Sequence, residues 1–130
     1  MRKRRLLLTF AVLALAITLT LPKVNATWKA TEVVSTESTS DAYVPSLAVD
    51  SGGNVHIAWY DRTALDGSTD YDIFYKKKTA TGWTTTEVVS TESTQGSCYP
   101  SLAVDSSGNI HIAWYDRTPL DGSTDWDIFY

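Results

Sequence analysis

The chain has 130 residues with eleven basic and fifteen acidic side chains, a formal charge of −4 at neutral pH. That length is about one domain's worth of chain. A single cysteine, Cys98, excludes an intramolecular disulfide framework. Its neighbours are apolar and polar by turns, and it is expected to pack as a small apolar group, with an intermolecular disulfide as the alternative.

The first element is a leader. Residues 2–5 read RKRR, residues 6–21 are an uncharged, mainly apolar run of sixteen, and Val24-Asn25-Ala26 supplies small residues where a signal peptidase cuts. Sixteen is short of the roughly 20 apolar residues that a spanning helix needs. Residues 1–26 are therefore expected to be a secretory signal cleaved after Ala26, with an uncleaved membrane anchor as the alternative. Either places the remainder outside the cytoplasm. Without the leader the chain keeps all fifteen acidic residues but only six basic ones, a formal charge of −9. Such a surface repels phosphate backbones and attracts cations, so nucleic acid is not an expected partner.

From Trp28 the sequence repeats. Residues 28–75 align with 83–130 without insertion or deletion, and 37 of the 48 pairs are identical. A fixed period of 55 residues implies a repeat architecture of two units, 27–78 and 79–130, neither able to bury its faces alone. Within one unit the elements in chain order are β-like. TEVVS is β-branched. VPSLAVD is a short apolar run closed by SGGN or SSGN, which supplies the Gly and Asn of a tight hairpin. VHIAWYD is the most hydrophobic stretch; RTALDGSTD is a polar loop; YDIFYK is a third strand. The strands are expected at 28–35, 44–50, 55–61 and 71–77, and again at 83–90, 99–105, 110–116 and 126–130. No segment after the leader carries a 3.6-residue apolar stripe. In VHIAWYD both faces are apolar, which implies sheet packed between sheets. Four-stranded units with this period, each sandwiched by its neighbours, describe the blades of a β-propeller, so the expected fold is all-β with two four-stranded antiparallel blades.

PSLAVDSSGNIHIAWYD, a polar loop and DIFYKK together resemble the blade repeat of secreted sialidase-like β-propellers, the superfamily that contains the Asp-box proteins. The match spans nearly all of the chain after the leader. The Asp-box itself, Ser/Thr-x-Asp-x-Gly-x-x-Trp, is degenerate: Thr79-Ala80-Thr81-Gly82-Trp83 keeps the glycine and tryptophan and lacks the aspartate. The resemblance implies an arginine triad for a substrate carboxylate, a tyrosine–glutamate nucleophile pair and an acid/base aspartate. Only Arg62 and Arg117 follow the leader, so one chain cannot build the triad from bidentate guanidinium groups. A non-catalytic scaffold or extracellular binding role, with carbohydrate as the ligand class, is therefore expected. The alternative is a fragment of a sialidase-like glycoside hydrolase whose catalytic blades lie elsewhere.

The candidate site residues follow. Arg62 and Arg117 open the polar loop after the central strand, where blade-end loops recognise ligands, and Trp126 at a strand edge offers a ring to a sugar. Trp28 and Trp83 stand at similar edges. Asp66, Asp70 and Asp72, repeated as Asp121, Asp125 and Asp127, crowd carboxylates around a glycine, and hard oxygen ligands at short spacing suit Ca²⁺. The competing expectation is a turn at Asp66-Gly67, capped by Asp70, with Asp72 facing solvent. Asp61 and Asp116 are expected to bond loop backbone, and His56 and His111 to be hydrogen-bonded core residues. Finally, two blades do not close a ring, and their outer faces would leave apolar patches in water. Either the chain continues in a longer repeat protein, which the absence of a lysine-rich turn after Tyr130 favours, or copies associate to complete the ring.

Overall fold

The computed structural model of the chain describes residues 27–130, and the leader expected at 1–26 lies outside them. Among the described residues there is no helix; eight strands form two antiparallel sheets. Residues 27–31 have no regular structure, and both sheets belong to one unit, Glu32–Tyr130.

In the first sheet β1 (Tyr43–Val49) pairs with β2 (Val55–Asp61), and β2 with β3 (Asp72–Thr79). The β1–β2 turn is built on Asp50, whose carboxylate accepts the Gly52 and Asn54 backbone N–H groups and the Asn54 amide, at 2.9, 2.9 and 2.8 Å. Gly53 supplies the positive φ of 79° that this turn requires. Asp105 builds the second copy of the turn in the same way, and the Asn109 amide and N–H, with help from Ser107, hold its pKa at about 2. Beyond β3 lie two short strands, β4 (Gly82–Trp83) and β5 (Glu87–Val88), both paired with β3. The second sheet is β6 (Cys98–Val104), β7 (Ile110–Asp116) and β8 (Asp127–Phe129) in consecutive order.

The expected four-plus-four division is thus corrected to five strands and three. The strand expected at 83–90 forms as two short pieces against β3, and the one expected at 28–35 does not form. TEVVS occurs at 31–35 and at 86–90, so local propensity is the same in both places. The second copy follows β3 through a two-residue turn and finds an unpaired edge, whereas no described strand precedes the first. A strand is a pairing, and β-branched residues without a partner edge stay irregular.

β1 and β6 each carry a bulge, between Tyr43 and Ser46 and between Cys98 and Ser101. Val44 and Tyr99 sit there at φ 46° and 58°. A non-glycine residue with positive φ is strained, more so when β-branched, and the repetition of the feature in both copies marks it as built in.

The sheets pack face to face through opposite sides. Ala58 and Tyr60 of β2, with Ile73 of β3, meet Leu102, Ile112 and Trp114 of the second sheet in one core cluster. Leu102 N–H donates to Ser46 Oγ across the junction at 2.9 Å. The other face of the first sheet carries Trp59, stacked on Phe74 at 5.9 Å between ring centroids, and Lys76. The Lys76 ammonium is buried and donates to Val34 O and Thr36 Oγ1, both at 2.9 Å, and to the Glu37 carboxylate. Irregular segment 34–37 is thereby pinned across that face. β2 is buried on both sides, as its apolar sequence predicts, and His56 lies inside with Nδ1 at 2.7 Å from Tyr75 Oη and Nε2 at 3.2 Å from Asp50 Oδ2. His111 makes the matching contact to Tyr130, at 2.6 Å, but is partly exposed.

The equivalent residues Ile73 and Ile128 differ in burial because only the first is covered by the other sheet. Ile73→Ala should lower stability by about 2–5 kcal/mol and Ile128→Ala by less than about 0.5 kcal/mol, as measured by urea unfolding of the two variants. Equal losses would contradict the packing. The Lys76 ammonium first, then the Thr86 hydroxyl, lower the Glu37 carboxyl from 4.5 to about 2. A lowered native pKa adds stability above the unfolded value that disappears as pH falls through the native one. Glu37→Gln should therefore flatten the stability–pH curve between 4.5 and about 2, read by acid titration of the unfolding midpoint.

Candidate functional site

The central strands β2 and β7 both end on a buried aspartate. Asp61 accepts Trp59 Nε1 at 2.8 Å, Thr63 N–H at 2.6 Å and Ser38 Oγ at 2.5 Å. Asp116 accepts Trp114 Nε1 at 3.2 Å, Thr118 N–H and Ser97 Oγ at 2.7 Å each, and the Ser93 hydroxyl. Burial alone would raise the Asp116 pKa, but the donors from Ser93, Thr118 and Ser97 outweigh it and the pKa is lowered. These carboxylates anchor the polar loops, as expected of them, and fix where each following arginine emerges.

Both arginines lie over an aromatic ring. The Arg62 guanidinium is 4.4 Å from the Tyr71 ring centroid, and that of Arg117 is 5.6 Å from Trp126. The Arg117 Nε and Nη2 also donate to Thr124 O, at 3.3 and 3.2 Å. A guanidinium over a ring face is attracted by the ring quadrupole and keeps N–H donors directed outward. The rings continue as a row. Tyr71 meets Tyr60 edge-on at 5.3 Å, Tyr60 lies 5.6 Å from Tyr99 in the other sheet, and Tyr99 is 6.2 Å from Tyr115. Tyr43 stacks on Tyr60 at 5.5 Å. Tyr99, Tyr115 and Trp126 line a shallow cleft of about 180 Å³ and are exposed. Burial, with Tyr99 beside it, raises the Tyr60 pKa further above its usual 10.0.

Of the residues singled out from sequence, Arg62, Arg117 and Trp126 therefore belong to one aromatic and cationic surface. The tyrosines 43, 60, 71, 99 and 115 complete it and were not foreseen. The signal for Tyr60 and Tyr115 is AWYD, which puts a tyrosine beside the loop-anchoring aspartate in both repeats; Tyr43, Tyr71 and Tyr99 lie outside that motif.

The acidic loops serve other ends. Asp66 Oδ1 accepts Ser68 N–H at 2.9 Å, and Asp121 Oδ1 accepts Ser123 N–H at 2.8 Å, two equivalent turns. Asp125 N–H leans on Ser123 Oγ at 3.4 Å, and Asp127 Oδ2 accepts that hydroxyl at 3.3 Å. Asp72 does not face solvent. It is buried and accepts Ser68 Oγ at 2.6 Å and Ser90 Oγ at 2.9 Å, while Ser90 Oγ accepts Ile73 N–H. Strand parity explains the correction: Asp72 shares a face with Phe74 and Lys76, and it ties β3 to the residues after β5. Burial raises its pKa, and Asp66 and Asp70 push the same way against the two serines. Among the described residues, no three His, Cys, Asp or Glu side chains converge as a metal cluster would.

With Asp66 and Asp121 each accepting a serine N–H, these two are expected to act as turn formers, and added Ca²⁺ should leave the melting temperature unchanged. A concentration-dependent rise that the Asp66→Asn, Asp121→Asn double variant abolishes would assign the loops a cation instead. No protein-family model, curated protein or solved structure matches the chain.

Proposed function

We propose that this chain is a secreted, non-catalytic repeat module of β-propeller type, two blades long, that binds an extracellular glycan with the aromatic row at its strand ends. The observation that carries this is the pairing of each exposed guanidinium with a ring, Arg62 with Tyr71 and Arg117 with Trp126. Flat aromatic faces match the apolar face of a pyranose, and the outward N–H donors and phenol hydroxyls match its ring of hydroxyl groups. Exposed aromatics gathered in one place are unusual for a surface with no ligand. The two arginines stand over separate rings in separate sheets, an arrangement suited to the length of an oligosaccharide rather than to a shared clamp on one carboxylate. The sialidase-like resemblance supports the fold of this proposal, and the leader supports secretion.

Intrinsic tryptophan fluorescence tests it, with Trp126 as reporter and a panel of neutral and carboxylated oligosaccharides as probes. Saturable quenching is expected with at least one class and weakened about tenfold by Arg117→Ala; Trp126→Ala, which removes the reporter, should weaken binding by a similar factor in titration calorimetry. If carboxylated sugars bind and their neutral parents do not, the guanidinium groups select charge. Absence of binding to every member of the panel overturns the glycan assignment and leaves a scaffold.

A further inference from the structure

The junction between the two sheets contains, within one chain, both halves of a contact that the same chain also presents unfilled. One half is the face of the first sheet bearing Ala58, Tyr60 and Ile73; the other is the face of the second sheet bearing Leu102, Ile112 and Trp114. Every one of these six residues is identical in the other repeat: Ala113, Tyr115 and Ile128 match the first half, and Leu47, Ile57 and Trp59 the second. On the outward faces Leu47, Tyr115 and Ile128 are exposed, Ile57 and Ala113 are half-buried, and Trp59 is buried beneath them. Leu102 is 8% exposed and Leu47 59%; Ile73 is 0% exposed and Ile128 65%; Tyr60 is 9% exposed and Tyr115 46%. A groove along Val34, Pro45, Leu47, Ile57 and Trp59 marks the open counterpart.

The strand edges carry the same unfilled match. At the junction, Val88 and Glu87 of β5 pair with Phe74 and Tyr75 of β3, Val89 N–H donates to Ile73 O at 2.7 Å, and Ser90 Oγ bonds Asp72 and Ile73 N–H. The counterparts on one side are Val33, Val34 and Ser35, which form no strand; on the other they are Ile128, Phe129 and Tyr130 along the outer edge of β8, which among the described residues pairs with β7. Ser46 Oγ, which receives Leu102 N–H, has its counterpart in Ser101.

We propose that a second copy of this chain fills these faces head to tail, the second sheet of one copy covering the first sheet of the next, with β8 running alongside Val33. The internal junction is the template. Two surfaces that bury one another inside the chain have the same side chains in the same register when offered between chains. The rim differs, since Trp126, Val55, Val44 and Tyr43 replace Tyr71, Ile110, Tyr99 and Cys98, which alters the edge of the contact and leaves the six central side chains the same. Because the two faces are different patches, the contact is heterologous, so it closes into a ring or runs on as a filament and does not stop at a symmetric dimer.

The test is mass measurement by sedimentation across a concentration series, using the chain and two variants whose altered side chains are exposed in a single copy. The unaltered chain should form species larger than a dimer, discrete for a ring or open-ended for a filament. Leu47→Asp blocks one face and Ile128→Asp the other, so each alone should be monomeric. Mixed in equal amounts, they should form a heterodimer and nothing larger, because one intact face remains on each; its formation also shows that both variants are folded. A chain that stays monomeric at every concentration overturns the proposal, as it would if later repeats of a longer protein covered these faces. A symmetric dimer, or single variants that assemble as the unaltered chain does, overturns it equally.

Discussion

Pairing across the repeat boundary is the constraint on which the rest of the molecule depends. β3 leaves an unpaired edge, and the residues that satisfy it belong to the next repeat: Trp83, Glu87 and Val88 hydrogen-bond to a strand of the first. Unpaired backbone groups buried between sheets are costly, so this edge has to be filled. The same chain segment then turns under the second sheet, where Val89 joins the core and Ser93 and Ser97 reach Asp116. One stretch of about a dozen residues thus closes one sheet and supports the next, which fixes the distance between them.

That coupling organises the surface as well. Asp61 and Asp116 terminate the central strands under several donors, and the arginine after each lies over an aromatic ring of its own repeat. Because the sheets stack in register, the tyrosines that precede the aspartates line up across the junction, Tyr60 against Tyr99 and Tyr99 against Tyr115. The aromatic and cationic row follows from repetition: three aromatics and one arginine per repeat become a row when two repeats are stacked.

Much of this is legible in the sequence, and the exceptions have physical causes. VHIAWYD announces a strand buried on both faces, and Ala58, Trp59 and Tyr60 are so buried. The hairpin at Asp50 is legible from its glycine and asparagine. The irregular path of 31–35 is not, because the letters TEVVS state a propensity and say nothing of whether an edge is free. Asp72 is read as a solvent-facing strand residue because carboxylates usually are; its burial follows from parity with Phe74 and from Ser90, eighteen residues away, which no local pattern joins to it. Arg62, Arg117 and Trp126 are legible as residues at strand ends. The tyrosine row is not, since its members are spread from Tyr43 to Tyr115 and its two halves join, Tyr60 to Tyr99, only when the sheets stack.

The offset between the sequence period and the sheet boundary bears on how such a protein changes length. A break at the Ala80-Thr81 turn would separate the two repeats in sequence yet strip the first sheet of its outer strands. Duplication of any 55-residue stretch, by contrast, reproduces every strand-to-strand and sheet-to-sheet junction, wherever within the period it begins. Genes encoding this architecture can therefore grow or shrink in whole periods by unequal recombination without passing through a misfolded product, and the 37 identical pairs between the present repeats are what make such recombination easy.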